Sequence, residues 1–301
     1  MNAEVLVIVV AGDGGHGEAM AAARDVERLF ARVEAALSRF RPASELSRLN
    51  RAAGRPFRAS PLLFAVVSAA LAAARETGGL FDPTVLGALV AAGYDRSFEL
   101  LAAGPDGPPP AAPPRPRCDW RDVALDERAG TIALPAGCGL DLGGIGKGWA
   151  VDRAVDRLRP RGNFVIDAGG DLYAAGAQAG GAPWTVGVAD PHVPARDLLV
   201  LTPRDRAVAT STTARRRWKR GGVERHHLID PRTGAPATSG VVSATVVAES
   251  VARAEVLAKV ALLLGPRAGR AFLDRQAGVP GILVHADGRV DLSSLVSEVA
   301  R

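Results

Sequence analysis

An α+β fold is what this sequence predicts, and three observations predict it. Apolar residues recur at helical spacing over 18–40, with Ala22, Val26, Leu29, Val33, Ala36, Leu37 and Phe40 on one stripe. From residue 118 onward the pattern changes to short apolar runs separated by glycine-rich turns. The two kinds of run are unevenly mixed, which argues against the regular alternation of a doubly wound sheet. Mixed and antiparallel sheets with packed helices are therefore expected.

The elements follow in chain order. Val5 to Ala11 is a short apolar run after Glu4, with no basic segment before it and no small-residue cleavage signal after it. It is expected as a first strand rather than an export signal. The long helix over 18–40 is broken by Pro42, and Ser44 is placed to cap a short helix ending near Asn50. A second long helix is expected over 60–77, closed by Gly78 and Gly79. The run 104–117, crowded with Pro and Ala, predicts an exposed loop or an extended polyproline connection. Short strands are expected at 131–136, 163–167, 184–190, 207–211, 226–230 and 243–248, with helices at 147–159 and 250–264. No internal repeat occurs. The chain is expected to form one domain over 1–301, or two intimate subdomains.

Composition narrows the function classes. A length of 301 residues with 48% hydrophobic content can bury a sizeable core. A net charge of +5 suits nucleic acid, a membrane surface or a phosphorylated small ligand. Aromatic residues make up only 5%, and no basic stretch is interleaved with rings that could stack on bases, so nucleic acid is set aside. Arg215, Arg216, Arg217, Lys219 and Arg220 are expected as a solvated loop. No apolar run reaches the roughly 20 residues of a membrane span. Cys118 and Cys138 lie apart without any C-x-x-C spacing and are expected as two free thiols, which places the protein in the reducing cytoplasm.

Four stretches carry chemistry. "LDLGGIGKGWAVDRAVDRL" sets a glycine-rich turn before a helix, where backbone N–H groups and Lys147 can receive an anion. It matches neither standard nucleotide motif, because Gly148 follows Lys147 and Trp149 stands where the last glycine of G-x-G-x-x-G would be. A plain tight turn explains this stretch as well as a phosphate cradle does. "VIDAGGDLYAAG" is a hairpin turn, or a close-approach site at Gly169 and Gly170. "HHLIDPRTGAP" combines His227 with a turn from Asp230 to Gly234. Thr210 and Ser211 end a strand and could meet a phosphate. There is no G-x-S-x-G, so no nucleophile elbow.

Taken together and in order, "LSRFRPASELSRLN", "TGGLFDPTV", "LDLGGIGKGWAVDRA", "IDAGGDLYAAG", "VATSTT", "HHLIDPRTGAP" and "ARAEVLAKVALLLG" resemble the successive blocks of the ApbE family of FAD:protein FMN transferases. The resemblance covers about residues 20 to 285. It implies an enzyme that binds FAD, uses Mg²⁺ at the pyrophosphate, and transfers FMN to a Thr or Ser of an acceptor protein with release of AMP. Positioning and charge neutralisation are what such phosphoryl transfer needs. By resemblance, Phe81, Asp82 and Thr84 match a first FAD-contact block. Asp141, Gly144, Gly146 and Lys147 match the pyrophosphate-side turn, with Gly169, Gly170 and Asp171 close by. Thr210 and Ser211 match a further block in which Thr212 replaces the family's glycine. His227, Asp230 and Thr233 match another, His227 as the residue that positions or activates the acceptor hydroxyl.

The sequence departs from the family pattern at the metal. The family places an Asp and, four residues later, a Thr or Ser on one helix as metal ligands, and this chain has Glu255 and Lys259 there. Of the matched positions, Gly146 and Glu255 could face a cation, while a protonated Lys259 offers no lone pair. Two outcomes are expected. Lys259 sits on the ligand side, paired with Glu255 and substituting for Mg²⁺, or the pair is a surface feature. The family's Met-Gly-Thr-like segment before the first strand is also missing. The alternative to an enzyme is an FAD-binding protein of the same fold that holds flavin without transferring it.

Overall fold

The computed structural model describes residues 4–10, 15–102, 118–193 and 195–300, so the expected proline-rich connection at 104–117 lies outside the described residues. The chain divides into two compact units. One comprises 1–32, 145–214 and 239–301, the other 33–144 and 215–238.

The first unit is built on a seven-stranded antiparallel sheet. Its strands lie in the order Val5–Val9, Phe164–Ala168, Leu172–Ala175, Arg206–Thr212, Val241–Ala248, Gly281–His285, Val290–Leu292. The apolar run near the N-terminus is thus a strand, as expected, and lies at one edge of the sheet. The Val241–Ala248 strand is buried along almost its whole length, Ser243 and Thr245 included, because it runs between two neighbours and is covered on both faces. Register places Leu172 opposite Val208 and Val208 opposite Val247, a row of buried apolar side chains. Trp184, Val188, Leu201, Ile282 and Val296 close over that row. The Trp184 ring also donates its N–H to the Ala175 carbonyl at 2.8 Å.

Two helices of this unit matter for the site. Gly146–Leu158 buries Ala150, Val151, Ala154, Val155 and Leu158, the stripe its periodicity predicts. Val251–Leu264 buries ten of its residues, among them Leu257, Leu262 and Leu263. Each such leucine contributes about 1.5–3 kcal/mol by leaving water. Ser250 caps this second helix by accepting from the Arg253 N–H. Asp152, on the first helix, accepts from the N–H groups of Val251 and Ala252 at 2.7 and 3.1 Å. The two helices approach so closely at Gly148 that a Cβ there would lie 2.6 Å from the Ala252 nitrogen. Only glycine permits that crossing.

In the second unit the Ser44 cap is present, with the Ser47 N–H donating to Ser44 Oγ at 3.0 Å at the start of Glu45–Arg51. Ser60 caps Pro61–Glu76 in the same way, and Glu45 accepts from both the Ser60 N–H and hydroxyl. A three-stranded sheet joins Pro56–Arg58, Thr131–Ala133 and Ala124–Asp126. Two short helices, Leu86–Ala91 and Phe98–Ala102, have too few residues for periodicity to reveal them. A small core gathers Leu89, Ala92, Tyr94, Trp218 and Ile229.

Two expectations are corrected here. The basic stretch is not a loop throughout: Arg217–Arg220 is a strand paired with Val223–His226. Trp218 anchors it by pointing inward, while Arg217 and Lys219 stay exposed, so the charges alternate with a buried ring. Cys118 and Cys138 are not free thiols but form a disulfide with a Cα separation of 5.6 Å. The fold brings together two residues whose spacing carried no sign of pairing. Disulfides persist under oxidising conditions, so the cytoplasmic expectation loses the free thiols from among its grounds.

Candidate functional site

In the first unit the chemistry gathers around Lys147. The Gly146–Leu158 helix begins after Ile145, which supplies no side-chain cap, so its first N–H groups are left for other acceptors. One of them, on Gly148, donates to Glu255 Oε2 at 3.1 Å. Lys147 Nζ is ion-paired with Asp171 and lies 3.5 Å from Glu255 Oε1. Asp171 accepts from the Thr210 N–H at 3.1 Å. The Thr210 and Thr245 hydroxyls, on directly opposed strand residues, hydrogen-bond at 2.8 Å.

Asp171 and Glu255 are only 4% and 6% exposed, so both have given up their hydration. Two such carboxylates are tolerable because an ammonium stands between them and backbone N–H groups supply further bonds. The trio of side chains carries one positive and two negative charges. Lys147 therefore does not by itself attract a phosphate. The attraction of this helix start for an anion comes from its uncapped N–H groups and the helix dipole.

The geometry has a clear origin in the chain. Gly148 and Asp152 are one turn apart on one helix, and Ala252 and Glu255 lie about one turn apart on the other. Gly148 lets the helices touch, Asp152 ties the end of the second to the first, and Glu255 is thereby delivered to the Gly148 N–H. Burial pushes the Asp152 carboxyl up to about 6, against the lowering effect of its two N–H donors. Neither Asp152, Thr245 nor the contact made by Gly148 was singled out from the sequence. The signal for Asp152 was its position one turn after Gly148 in an otherwise apolar helix face.

Glu255 meets an ammonium from the neighbouring helix, that of Lys147, and Lys259, one turn further along its own helix, is half-buried. Among the described residues no group of three or more His, Cys, Asp or Glu is arranged to hold a metal ion. Asp171 and Glu255 already share a lysine, and Lys259, one turn along the helix from Glu255, has no lone pair to give while protonated. This donor set does not fit a hard dication that wants several oxygen ligands. Gly169 and Gly170, both at positive φ, form the expected hairpin turn before Asp171, with the Gly170 N–H donating to Asp167. Thr210 is exposed and Ser211 buried.

In the second unit the sequence-predicted residues form three local structures. Asp82 Oδ1 accepts from both the N–H and hydroxyl of Thr84, at 2.8 and 2.7 Å, just after the buried Phe81. Burial pushes the Asp82 carboxyl upward. Asp141 is ion-paired with Arg39 at 2.6 Å and accepts from the Gly143 N–H, just before the buried Gly144. The Arg39 guanidinium lies 4.1 and 4.6 Å from the ring centres of Phe40 and Tyr94, and Tyr94 stacks on Trp218. Asp230 is buried and bound by the backbone and guanidinium of Arg232, while the Thr233 hydroxyl donates to the Asp230 carbonyl. Of the two adjacent histidines, His226 binds the Ala237 carbonyl, and burial holds it below the usual imidazole range. His227 is half-buried on the following loop.

An antiparallel sheet backed by helices, with a lysine clasped between two buried carboxylates at an uncapped helix start, defines a class of α+β protein suited to an anionic ligand. The chain belongs to the ApbE family, whose profile matches residues 1–283. It is 36% identical to the FAD:protein FMN transferase of Treponema pallidum, over 94% of this chain and 82% of that protein. It is 32% identical to the FAD:protein FMN transferase of Vibrio cholerae, over 83% of this chain and 75% of that protein. Among solved structures, the ApbE protein from Thermotoga maritima superposes with a TM-score of 0.85 at 26% identity, covering 100% of both chains. The flavin transferase ApbE from Vibrio cholerae superposes with a TM-score of 0.77 at 27% identity, covering 99% of both.

Proposed function

We propose that this chain is an FAD:protein FMN transferase, which binds FAD, moves its FMN moiety onto a Thr or Ser hydroxyl of an acceptor protein, and releases AMP. The observation that carries this is the family match over residues 1–283, together with relatives of that name at 36% and 32% identity. The chemistry balances without a further reactant. The acceptor oxygen bonds to the FMN phosphorus, the bond from that phosphorus to the bridging oxygen breaks, AMP leaves with that oxygen, and the hydroxyl proton passes to a base.

The uncapped N–H groups at Gly146 and Lys147 receive diphosphate oxygens. The Lys147, Asp171 and Glu255 trio holds that helix start in place, and Thr210 and Ser211 lie on the strand bonded to Asp171. His227 is assigned the acceptor proton, with Asp230 and Thr233 shaping the turn that follows it. Phe81, Asp82, Thr84, Asp141 and Gly144 are assigned to flavin contact in the second unit, and Gly169 and Gly170 to close approach in the first. No step is assigned to Mg²⁺, because Glu255 and Lys259 are a poor donor set. Lys259 is assigned the compensating positive charge. The disulfide favours an oxidising compartment as the place of work.

The test is incubation of the protein with FAD and a threonine-bearing acceptor peptide, with and without Mg²⁺ or chelator. The expected result is AMP release and a flavin-sized mass gain on the peptide that survives chelation. Retained yellow colour with neither AMP nor mass gain in any condition would reduce the chain to a flavin binder. Glu255→Asp combined with Lys259→Thr is expected to make transfer depend strongly on added Mg²⁺.

A further inference from the structure

The short helix Glu45–Arg51 and the strand Pro56–Arg58 enclose a surface groove of about 350 Å³ lined by Arg48, Arg51, Arg55, Arg58 and Phe57. None of these residues belongs to the Lys147 cluster, and none figures in the flavin chemistry. All four arginines are exposed and Phe57 is half-buried. No carboxylate lines the groove. Glu45, the acid on the same helix, is committed to the N–H and hydroxyl of Ser60.

Several surface arginines of this chain are neutralised by a neighbouring carboxylate. Arg28, Arg41, Arg96, Arg121, Arg217 and Arg289 each have a carboxylate partner. Among the described residues, the four of the groove have none. Arg51 donates to the Pro42 carbonyl at 2.9 Å, which orders the side chain without neutralising it, and Arg48 faces the Phe57 ring at 6.0 Å. Four guanidinium groups within eleven residues repel one another, and an anion seated between them would relieve that repulsion.

We infer that this groove is a binding site for a small, multiply charged phosphate, of the class of inorganic pyrophosphate or the phosphate chain of a nucleotide. Guanidinium forks match phosphate oxygens two at a time, and the lining uses arginine throughout with no lysine. The volume falls near the lower end of the roughly 300–1,000 Å³ of small-ligand sites, which favours a compact anion over a polymer. The half-buried ring gives the groove an apolar floor that lowers the competition from water. The helix that carries Arg48 and Arg51 also carries Asn50, whose side chain bonds both the N–H and the carbonyl of Leu140, the residue before Asp141. An occupant of the groove would therefore press on the segment that holds Asp141.

The experiment uses the full chain with FAD present in excess, so that the diphosphate site of the flavin reading is filled before the probe is added. Titration calorimetry with inorganic pyrophosphate is expected to show one saturable site per chain. Affinity should fall at least tenfold in Arg51→Ala/Arg55→Ala, recover in part in Arg51→Lys/Arg55→Lys, and fall with added salt more steeply than for monovalent phosphate. Both positions are exposed, so melting temperature and FAD retention should match the unaltered protein. The inference is overturned if the alanine variant binds pyrophosphate as well as the parent does. It is equally overturned if sulfate at equal ionic strength displaces the probe fully, or if an acidic peptide or single-stranded DNA binds through the same arginines more tightly than pyrophosphate. Loss of FMN transfer with pyrophosphate binding intact would count against the flavin reading alone.

Discussion

The polar centres of the two units are assembled in opposite ways. Around Lys147, partners are far apart in sequence: 24 residues separate Lys147 from Asp171, and 107 separate Gly148 from Glu255. Around Asp230, the partners are two and three residues away, in Arg232 and Thr233. The first centre exists only if two helices and two strands are already packed. The second can form within a single turn. The difference separates residues that report on the whole fold from residues that report on a local shape.

The largest effect is expected where long-range packing and buried charge coincide. Lys147→Ala would leave Asp171 and Glu255 buried without their cation, at a cost of about 3–5 kcal/mol. AMP release should fall by about a hundredfold or more, which corresponds to about 3 kcal/mol of barrier. Thermal melting and a coupled AMP assay check the two halves separately. If stability and transfer both survive, the trio is not the keystone of its unit.

Next in size is the disulfide, a staple of the second unit whose ends lie 20 residues apart. Reduction or Cys118→Ser should lower stability by about 3 kcal/mol. Cys118 also accepts through its carbonyl from the Thr84 hydroxyl, so the Asp82–Thr84 turn should loosen with it. Denaturant midpoints with and without reductant measure the first, and FAD affinity the second.

A smaller and pH-dependent effect belongs to Asp152. Its carboxyl is raised from 3.8 to about 6 in the folded protein. Between those values the folded state keeps a proton that the unfolded chain has lost, so stability falls as pH rises through this window and levels off above it. The change should be about 2 kcal/mol, discounted for partial exposure. Asp152→Asn, which cannot titrate, should flatten the profile measured by urea unfolding from about pH 4 to about pH 7. An unchanged slope would place the titrating group elsewhere.

The smallest effect completes the comparison. Arg232 is 53% exposed at its side chain, and Arg232→Ala should cost no more than about 1 kcal/mol despite its double contact with Asp230. A loss as large as that at Lys147 would erase the distinction between the two centres.

Much of this architecture could be seen in the chain before folding. Long helices with clear apolar stripes, the Ser44 cap and the glycine turns at 169 and 170 are local features, and they appear where spacing places them, except that the first helix ends at Leu37 and leaves Phe40 outside it. The family blocks marked Lys147, Asp171 and Glu255 individually. What spacing could not supply was their mutual contact, because that depends on how two helices cross at Gly148. The disulfide was missed for the same reason, since a 20-residue separation says nothing about a Cα distance of 5.6 Å. The strand character of Arg217–Arg220 was hidden by charge, and the single buried ring of Trp218 was the sign that it packs.

The strand order of the large sheet also dictates when it can be finished during synthesis. Arg206–Thr212 is an interior strand, yet its partner Val241–Ala248, and the two strands beyond it, are made last. Until the ribosome has delivered them, a strand with the sequence RAVATST waits with one row of backbone groups unpaired. A chain released early would offer that open ladder to its neighbours, so truncated or stalled copies should be the ones that aggregate and draw chaperones, while the finished protein shows only its own two borders.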